Sequence, residues 1–332
     1  MPKSASKIRV AVIGAGNMGK NHLRNYFEMP NADLVGLADI NPATKELADQ
    51  YETAFFTDYK TMLDEVKPNA VSIVVPTPFH AEVATEVMNR GISCLLEKPI
   101  ASTVEEAEAL IKLSLEKGVV FTVGHIEHYN PLIVALKDLL DKSSIGEVTS
   151  IVCKRVGGFP QIEPKTDVII DLAVHDIGII SYLLGVQPNK ITSHGSRTYH
   201  SNKIDSAEIL LDYGKASGFI QANWLTPVKI RTISVTGSEG YIEGNYITQE
   251  LSVYKHTFTQ KFNEAGYTGV VNEMKAQEKE LINVDFEEPL ARELRTFLEH
   301  ASGDTTNQLV SPAEARGALG LALQAASSYN EE

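Results

Sequence analysis

Residues 7–19, KIRVAVIGAGNMG, run from an apolar, β-branched stretch into a turn marked by Gly14, Gly16 and Gly19, and an amphipathic stretch, NHLRNYFEM, follows. A strand that ends in such a turn and opens a helix is the first unit of a parallel α/β sheet. Gly14 allows the tight turn, Gly16 lets the backbone approach a pyrophosphate, and Gly19 lets the helix pack closely. Asn17 and Met18 complete the loop at the helix N-terminus, where phosphates bind. The next strand, LVGLADIN, ends in Asp39, twenty residues past Gly19, from where a carboxylate can bond a ribose 2′-hydroxyl. That carboxylate would repel a 2′-phosphate, and no arginine follows it to neutralise one, so the expected dinucleotide is NAD rather than NADP.

Outward from this stretch, strand-like and helix-like segments alternate as far as Ile126: ADLVGLADI, PATKELADQY, AVSIVVP, HAEVATEVMNRG, ISCLLEKP and VVFTVGHI. Strict alternation implies right-handed crossovers and a parallel Rossmann sheet, with Ser102 and Glu105 forming a capping box at the helix after CLLEKPIA. Beyond it, helices are expected near Asn130–Lys142 and Val168–Leu184, and between and after them come strands of alternating polarity. These are TSIVCKRV, ITSHGSRTY, SAEILLDY, ASGFIQANWL, RTISVTGS, GYIEGNY and ELSVYK, the pattern of a half-buried, mostly antiparallel sheet. The polar segment Gln260–Glu280 reads as a loop. Ser311, Pro312 and Glu314 make a well-formed helix start near the end of the chain. The expected fold is therefore α/β: a dinucleotide-binding domain at 1–126, then an α/β domain with a large antiparallel open sheet at 127–332. The C-terminal helix is expected to pack back towards the first domain.

The 332 residues carry 43 acidic against 30 basic side chains, a net charge of −13, and no basic block. This argues against nucleic acid or an anionic membrane as partner and for a small molecule. Cys94 and Cys153, both in apolar strand-like settings, suggest neither a disulfide framework nor a cysteine zinc site. The polar start, MPKSASK, has no apolar core of a signal peptide, and no run is long enough to span a membrane, so a soluble cytoplasmic protein is expected.

Three further strand or helix segments carry candidate chemistry. In IVVPTPFHAEVA, Pro76 and Pro78 stop a strand; Thr77 and His80 either face the ligand crevice at the carboxyl edge of the sheet or belong to a proline-shaped loop in which His80 caps a helix. In CLLEKPIA, Glu97 and Lys98 end another strand on that edge. Lys98 could bind a substrate hydroxyl or relay a proton, and the alternative is a surface ion pair. In VIIDLAVHDIGIISYLLG, Asp171 and His175 lie four apart on one helix face beside Asp176, either as a general base oriented by a carboxylate or as a solvated face. No third ligand accompanies them for a metal. His125, in GHIEHYNP, reads as a hydrogen-bonded strand-end residue.

In this order, the GAGNMG turn, the PTPFH strand end, the EKP tripeptide and the D-x-x-x-H helix resemble the Gfo/Idh/MocA family of nicotinamide-dependent sugar oxidoreductases. The resemblance spans nearly the whole chain. It implies NAD as cofactor, held by Gly14, Gly16, Asn17, Met18, Gly19, Asp39, Pro76, Thr77, His80, Glu97 and Lys98. It implies Lys98, Asp171 and His175 as catalytic residues, and a homodimer or homotetramer formed through the C-terminal sheet. GHIEHYNP, KRVGGFP and DVIIDLAVHDIG are similar to segments of the branch that oxidises the 3-hydroxyl of UDP-N-acetylglucosamine. That branch makes Glu127, Asn130 and Arg155 substrate contacts besides the catalytic three, with Arg155 suited to a diphosphate. Its members usually carry Arg-Phe where this chain has His128-Tyr129, and Pro where it has Gly158. Other sugar or inositol dehydrogenases, an NAD-dependent glycoside hydrolase and a non-catalytic dinucleotide sensor are the competing readings.

Overall fold

The computed structural model describes residues 7–160, 164, 166–199, 202–255 and 279–328. The chain divides into two compact units, Met1–Tyr129 with Glu287–Gly320, and Asn130–Phe286 with Leu321–Glu332.

The first unit is built on strands β1 (Ile8–Ile13), β2 (Ala32–Ala38), β3 (Ala54–Phe56), β4 (Ala70–Ile73), β5 (Ser93–Leu96) and β6 (Phe121–Val123). All pair in parallel in the order β3-β2-β1-β4-β5-β6, the doubly wound order in which ligands bind beyond the carboxyl ends of the strands. Strand β3 has no counterpart among the expected strands; three residues are too few for a periodic signal. Helix α1 (Asn17–Glu28) buries Gly19, His22, Leu23 and Tyr26, the three- and four-residue spacing of a single face. The Pro289–Ala301 helix adds Leu290, Leu294, Phe297 and Leu298 to the same core, against Val10, Val12, Leu23 and Tyr26. The helix after β5 starts one residue later than expected. Thr103 is its cap and accepts the Glu106 N–H at 3.2 Å, while Glu106 reaches back to the Ser102 N–H at 3.0 Å, because Thr103 is the last residue in an extended conformation. Ser311 and Glu314 cap each other as the sequence indicates: the Glu314 carboxylate accepts the Ser311 N–H at 2.8 Å, and Ser311 Oγ accepts the Glu314 N–H at 3.2 Å.

The second unit holds an eight-stranded sheet in the order β14-β13-β12-β11-β7-β10-β9-β8. Its strands are β7 (Val148–Val156), β8 (Lys190–Ser196), β9 (Ser206–Asp212), β10 (Ser217–Asn223), β11 (Ile230–Gly237), β12 (Gly240–Asn245), β13 (Glu250–Lys255) and β14 (Lys279–Ile282). Every pairing is antiparallel except β7 with β10. Alternate residues of β9, β11 and β12 are buried, as expected of a sheet with one covered face. Most of the Gln260–Glu280 segment lies outside the described residues, but Lys279 and Glu280 open β14 and are not loop.

Candidate functional site

At the end of β1 the chain turns at Gly14, whose φ is +100° and where a Cβ would lie 2.4 Å from the Val74 carbonyl oxygen. A Cβ at Gly19 would sit 2.1 Å from the Gly14 carbonyl oxygen, so both glycines are required by the fold itself. Gly16 differs. A Cβ there would meet no protein atom within 4 Å, and Gly16 precedes α1 without a side-chain cap on the first-turn amides. An open position at an uncapped helix start suits the pyrophosphate of a dinucleotide, so this turn fits the expected group. Asp39 stands beside it at the end of β2, where its carboxylate accepts the Ala15 N–H at 2.6 Å and the Asn41 N–H at 2.8 Å. Pro76 is exposed and Thr77 half-buried in the single turn that follows β4.

His80 is turned inward. Its ring lies between the Pro99 and Val75 carbonyl oxygens, at 2.8 and 2.9 Å, and ties the loop after β4 to the loop after β5. Burial holds its pKa below the ordinary value against the pull of the two carbonyls, so the neutral ring has one N–H to give them. Glu97, just past β5, is also buried; one carboxylate oxygen meets His22 Nε2 at 3.1 Å and the other accepts the Lys98 N–H at 3.1 Å. Lys98 itself is half-buried, and the Lys98–Pro99 peptide is cis. Beyond β6, the His125 and His128 rings meet edge to face at 5.9 Å. Burial, with the positive charges of His128 and Lys98 adding to it, lowers the His125 pKa to about 3. Glu127 is half-buried, and Tyr129 Oη accepts the Val310 N–H at 3.0 Å, a use for a hydroxyl that phenylalanine lacks.

In the second unit Asn130 caps the Pro131–Asp141 helix: Oδ1 accepts the Leu132 N–H and Nδ2 donates to the Tyr246 carbonyl oxygen, both at 3.2 Å. Arg155 is 4% exposed, in the central strand β7. Its Nε and one terminal nitrogen donate to the two Asp176 oxygens at 2.8 and 2.9 Å, and its guanidinium lies 5.1 Å from the Tyr246 ring centre. That is a bidentate pair inside the core, so the guanidinium already has a carboxylate partner. Asp171 and His175 are both half-buried. The expected continuous helix is interrupted here by a π-helical turn, Ile169–Ala173, which contains Asp171 and leads into helix α2 (Val174–Leu184) with His175 in its first turn. Such widened turns re-aim side chains and recur at functional sites. Apart from Asp171 the run VIIDLAV is aliphatic, and it gives no sign of the widened turn. Lys98 belongs to the first unit, Asp171 and His175 to the second. The partners that sequence reasoning missed are His22 and Asp176, the first legible only as a histidine on the buried face of the helix after the glycine turn.

A doubly wound parallel sheet with an open glycine turn and an acidic residue after its second strand defines a dinucleotide-binding domain. Residues 8–125 match the model of the Gfo/Idh/MocA oxidoreductase family, NAD-binding Rossmann fold, and residues 133–243 match the C-terminal domain model of the same family. The chain belongs to the Gfo/Idh/MocA family and is an NAD-binding oxidoreductase. It is 28% identical over 294 residues to the UDP-N-acetylglucosamine 3-dehydrogenase of Acidithiobacillus ferrooxidans, covering 88% of each chain. The solved structure of that enzyme superposes with a TM-score of 0.85 over 98% of this chain and 99% of the other, at 25% identity. The scyllo-inositol 2-dehydrogenase (NAD(+)) of Bacillus subtilis is 28% identical over 253 residues, 71% of this chain and 73% of its own. No helix among the described residues is long and apolar enough to cross a membrane.

Proposed function

We propose that the protein is a cytoplasmic NAD-dependent dehydrogenase that oxidises a secondary hydroxyl of a sugar, and that its substrate is UDP-N-acetylglucosamine, converted to the 3-keto sugar. The observation that carries this reading is the carboxyl edge of the first sheet, where Lys98, Asp39 and the open turn at Gly16 follow strands of one parallel array. The choice of sugar is supported by the likeness to the Acidithiobacillus enzyme over most of both chains. NAD, when bound, supplies the hydride acceptor. Lys98 holds the reacting hydroxyl through its ammonium, His175 takes the hydroxyl proton, and Asp171 orients the imidazole. Glu97 fixes the backbone of Lys98, and Glu127 contacts the sugar. Arg155 and Asn130 contribute by shaping the second unit rather than by touching the diphosphate, since Asp176 and the backbone occupy them. Asp39 makes NAD the preferred dinucleotide over NADP.

We also propose that two copies associate through the eight-stranded sheet. Val152, Phe219 and Leu210 are neighbours across β7, β10 and β9 and are 40, 38 and 50% exposed, an apolar row in the middle of the open face. Light scattering of the wild type and of Phe219→Glu tests this; a wild-type monomer refutes it.

The functional test is the absorbance of reduced nicotinamide when the protein and NAD meet UDP-N-acetylglucosamine, UDP-glucose, UDP-uronic acids, free glucose or myo-inositol, with an aminotransferase and glutamate as ketone trap. Signal with the UDP-amino sugar alone is the expected result. Signal only with inositol or free sugars replaces the substrate by the one that the likeness to the Bacillus enzyme favours. Silence throughout, with NAD bound, turns the reading towards a hydrolase or a sensor.

A further inference from the structure

The Pro289–Ala301 helix lays Leu290, Leu294 and Phe297 into the core of the first unit, and Glu293 lies on the same stripe. Its side chain is 0% exposed, and among the described residues neither carboxyl oxygen has a hydrogen-bond partner. An ionised carboxylate enclosed in this way is prohibitively costly, whereas the neutral acid is tolerable.

The groups around it decide which acid keeps a proton. From the end of β5, the charge of Glu97 acts on Glu293. From α1, Tyr26 feels Glu293 and bonds Ser72 Oγ at 2.7 Å, and His22 sits on Glu97. From the turn at Ile126–Tyr129, Tyr129 feels Glu293 as well. Arg24 of α1 is bonded to Glu288, at the start of this helix, at 2.6 Å. Two carboxyl groups therefore share an interior in which only one of them has donors: Glu97 has His22 Nε2 and the Lys98 N–H, and Glu293 has neither. Like charges in one buried site do not both ionise, and the group with donors keeps the charge.

We propose that Glu293 is a positioning residue whose uncharged carboxyl leaves Glu97 the one anion beneath the Lys98 turn and so keeps that anion on His22 and on the Lys98 amide. The consequence for turnover rests on the catalytic use of Lys98 proposed above, but the test does not. Burial first, and the charge of Glu97 second, hold the Glu293 carboxyl well above the ordinary carboxylate range. Because the unfolded chain releases this proton at lower pH than the folded one, the native state binds an extra proton between the two values. Stability then falls with rising pH, by about tenfold in the folding constant per pH unit, until Glu293 itself ionises.

The experiment compares wild type with Glu293→Gln from about pH 5 to about pH 9 in thermal unfolding and in NAD binding, a window chosen to start just above the unfolded carboxylate value. Infrared spectra of both record the carbonyl stretch of a protonated carboxylic acid. The expected result is a melting temperature that rises in the variant relative to wild type as pH rises, an alkaline loss of NAD affinity in wild type that the variant lacks, and a protonated-acid band present only in wild type. Superimposed pH profiles of stability, or of NAD affinity, overturn the proposal. Should the variant not fold, the wild-type spectrum at neutral pH decides, and absence of the band overturns it. Failure of every sugar to react would sink the proposed function and leave these readouts unchanged.

Discussion

Lys98 and Arg155 are both basic residues that the sequence offers as ligand contacts, and the structure uses them differently. Arg155 lies within β7, one residue before its end, and its guanidinium is buried against Asp176 and Tyr246. Lys98 lies two residues beyond the end of β5 and is half-buried, while the adjacent Glu97 carboxylate bonds its amide. Inside a strand of a packed sheet a cation has to find its anion in the protein, because no solvent reaches it. Past the strand end, Lys98 is half-buried on the edge where ligands of a parallel sheet bind. On the proposed function, position relative to the strand terminus, not residue type, separates the structural cation from the one assigned to chemistry.

Three variants test that contrast. On the proposed role of Lys98, Lys98→Met should cut turnover by about a hundred- to ten-thousand-fold while leaving NAD binding and the melting temperature near wild type. Retained turnover would remove the first half of the comparison. Asp176→Ala should cost about 3–5 kcal/mol of stability, read from denaturant midpoints, because it strands the Arg155 charge in the core. A stable Asp176→Ala protein would show that water or another group reaches Arg155. Gly16→Ala should leave the melting temperature unchanged, since its Cβ meets no protein atom, yet weaken NAD binding by about tenfold, or about 1.4 kcal/mol. If it unfolds the protein instead, the openness of that position has a structural cause.

The glycine turn, Asp39 and the strand-end motifs made the first sheet legible, because a parallel array writes its order as alternation and its ligand edge as the residue after each strand. The antiparallel character of the second sheet was equally plain in the polarity of its strands. What escaped was the inward side of each motif. His80 reads either as a crevice residue or as a helix cap in a proline-shaped loop, and neither reading foresees that its ring is bonded to two backbone carbonyls. Arg155 reads as a diphosphate ligand because its partner, Asp176, is 21 residues away on a helix. Glu293 occupies an apolar stripe of its helix, so helical spacing alone marks it as an intruder, but only the enclosed surroundings show that no donor meets it. The π-helical turn at Asp171 has no signature in side-chain type at all.

The single parallel pairing, β7 with β10, has a consequence for how the second sheet is assembled. Strands β8, β9 and β10 form one meander of neighbours in sequence, and β11 to β14 form another; β7 lies between the two and pairs with both β10 and β11. Apart from the β13–β14 pair, which is 23 residues apart in the chain, each meander closes over short stretches, whereas seating β7 closes longer ones, a step that raises contact order and slows folding. The two meanders are therefore expected to gain protection early and β7 late, an order that pulsed hydrogen exchange during refolding would reveal. The crossover from β7 to β8 contains the turn and helix with Asp171 and His175, so these two residues would take their final places only when the seam between two prefabricated halves is closed.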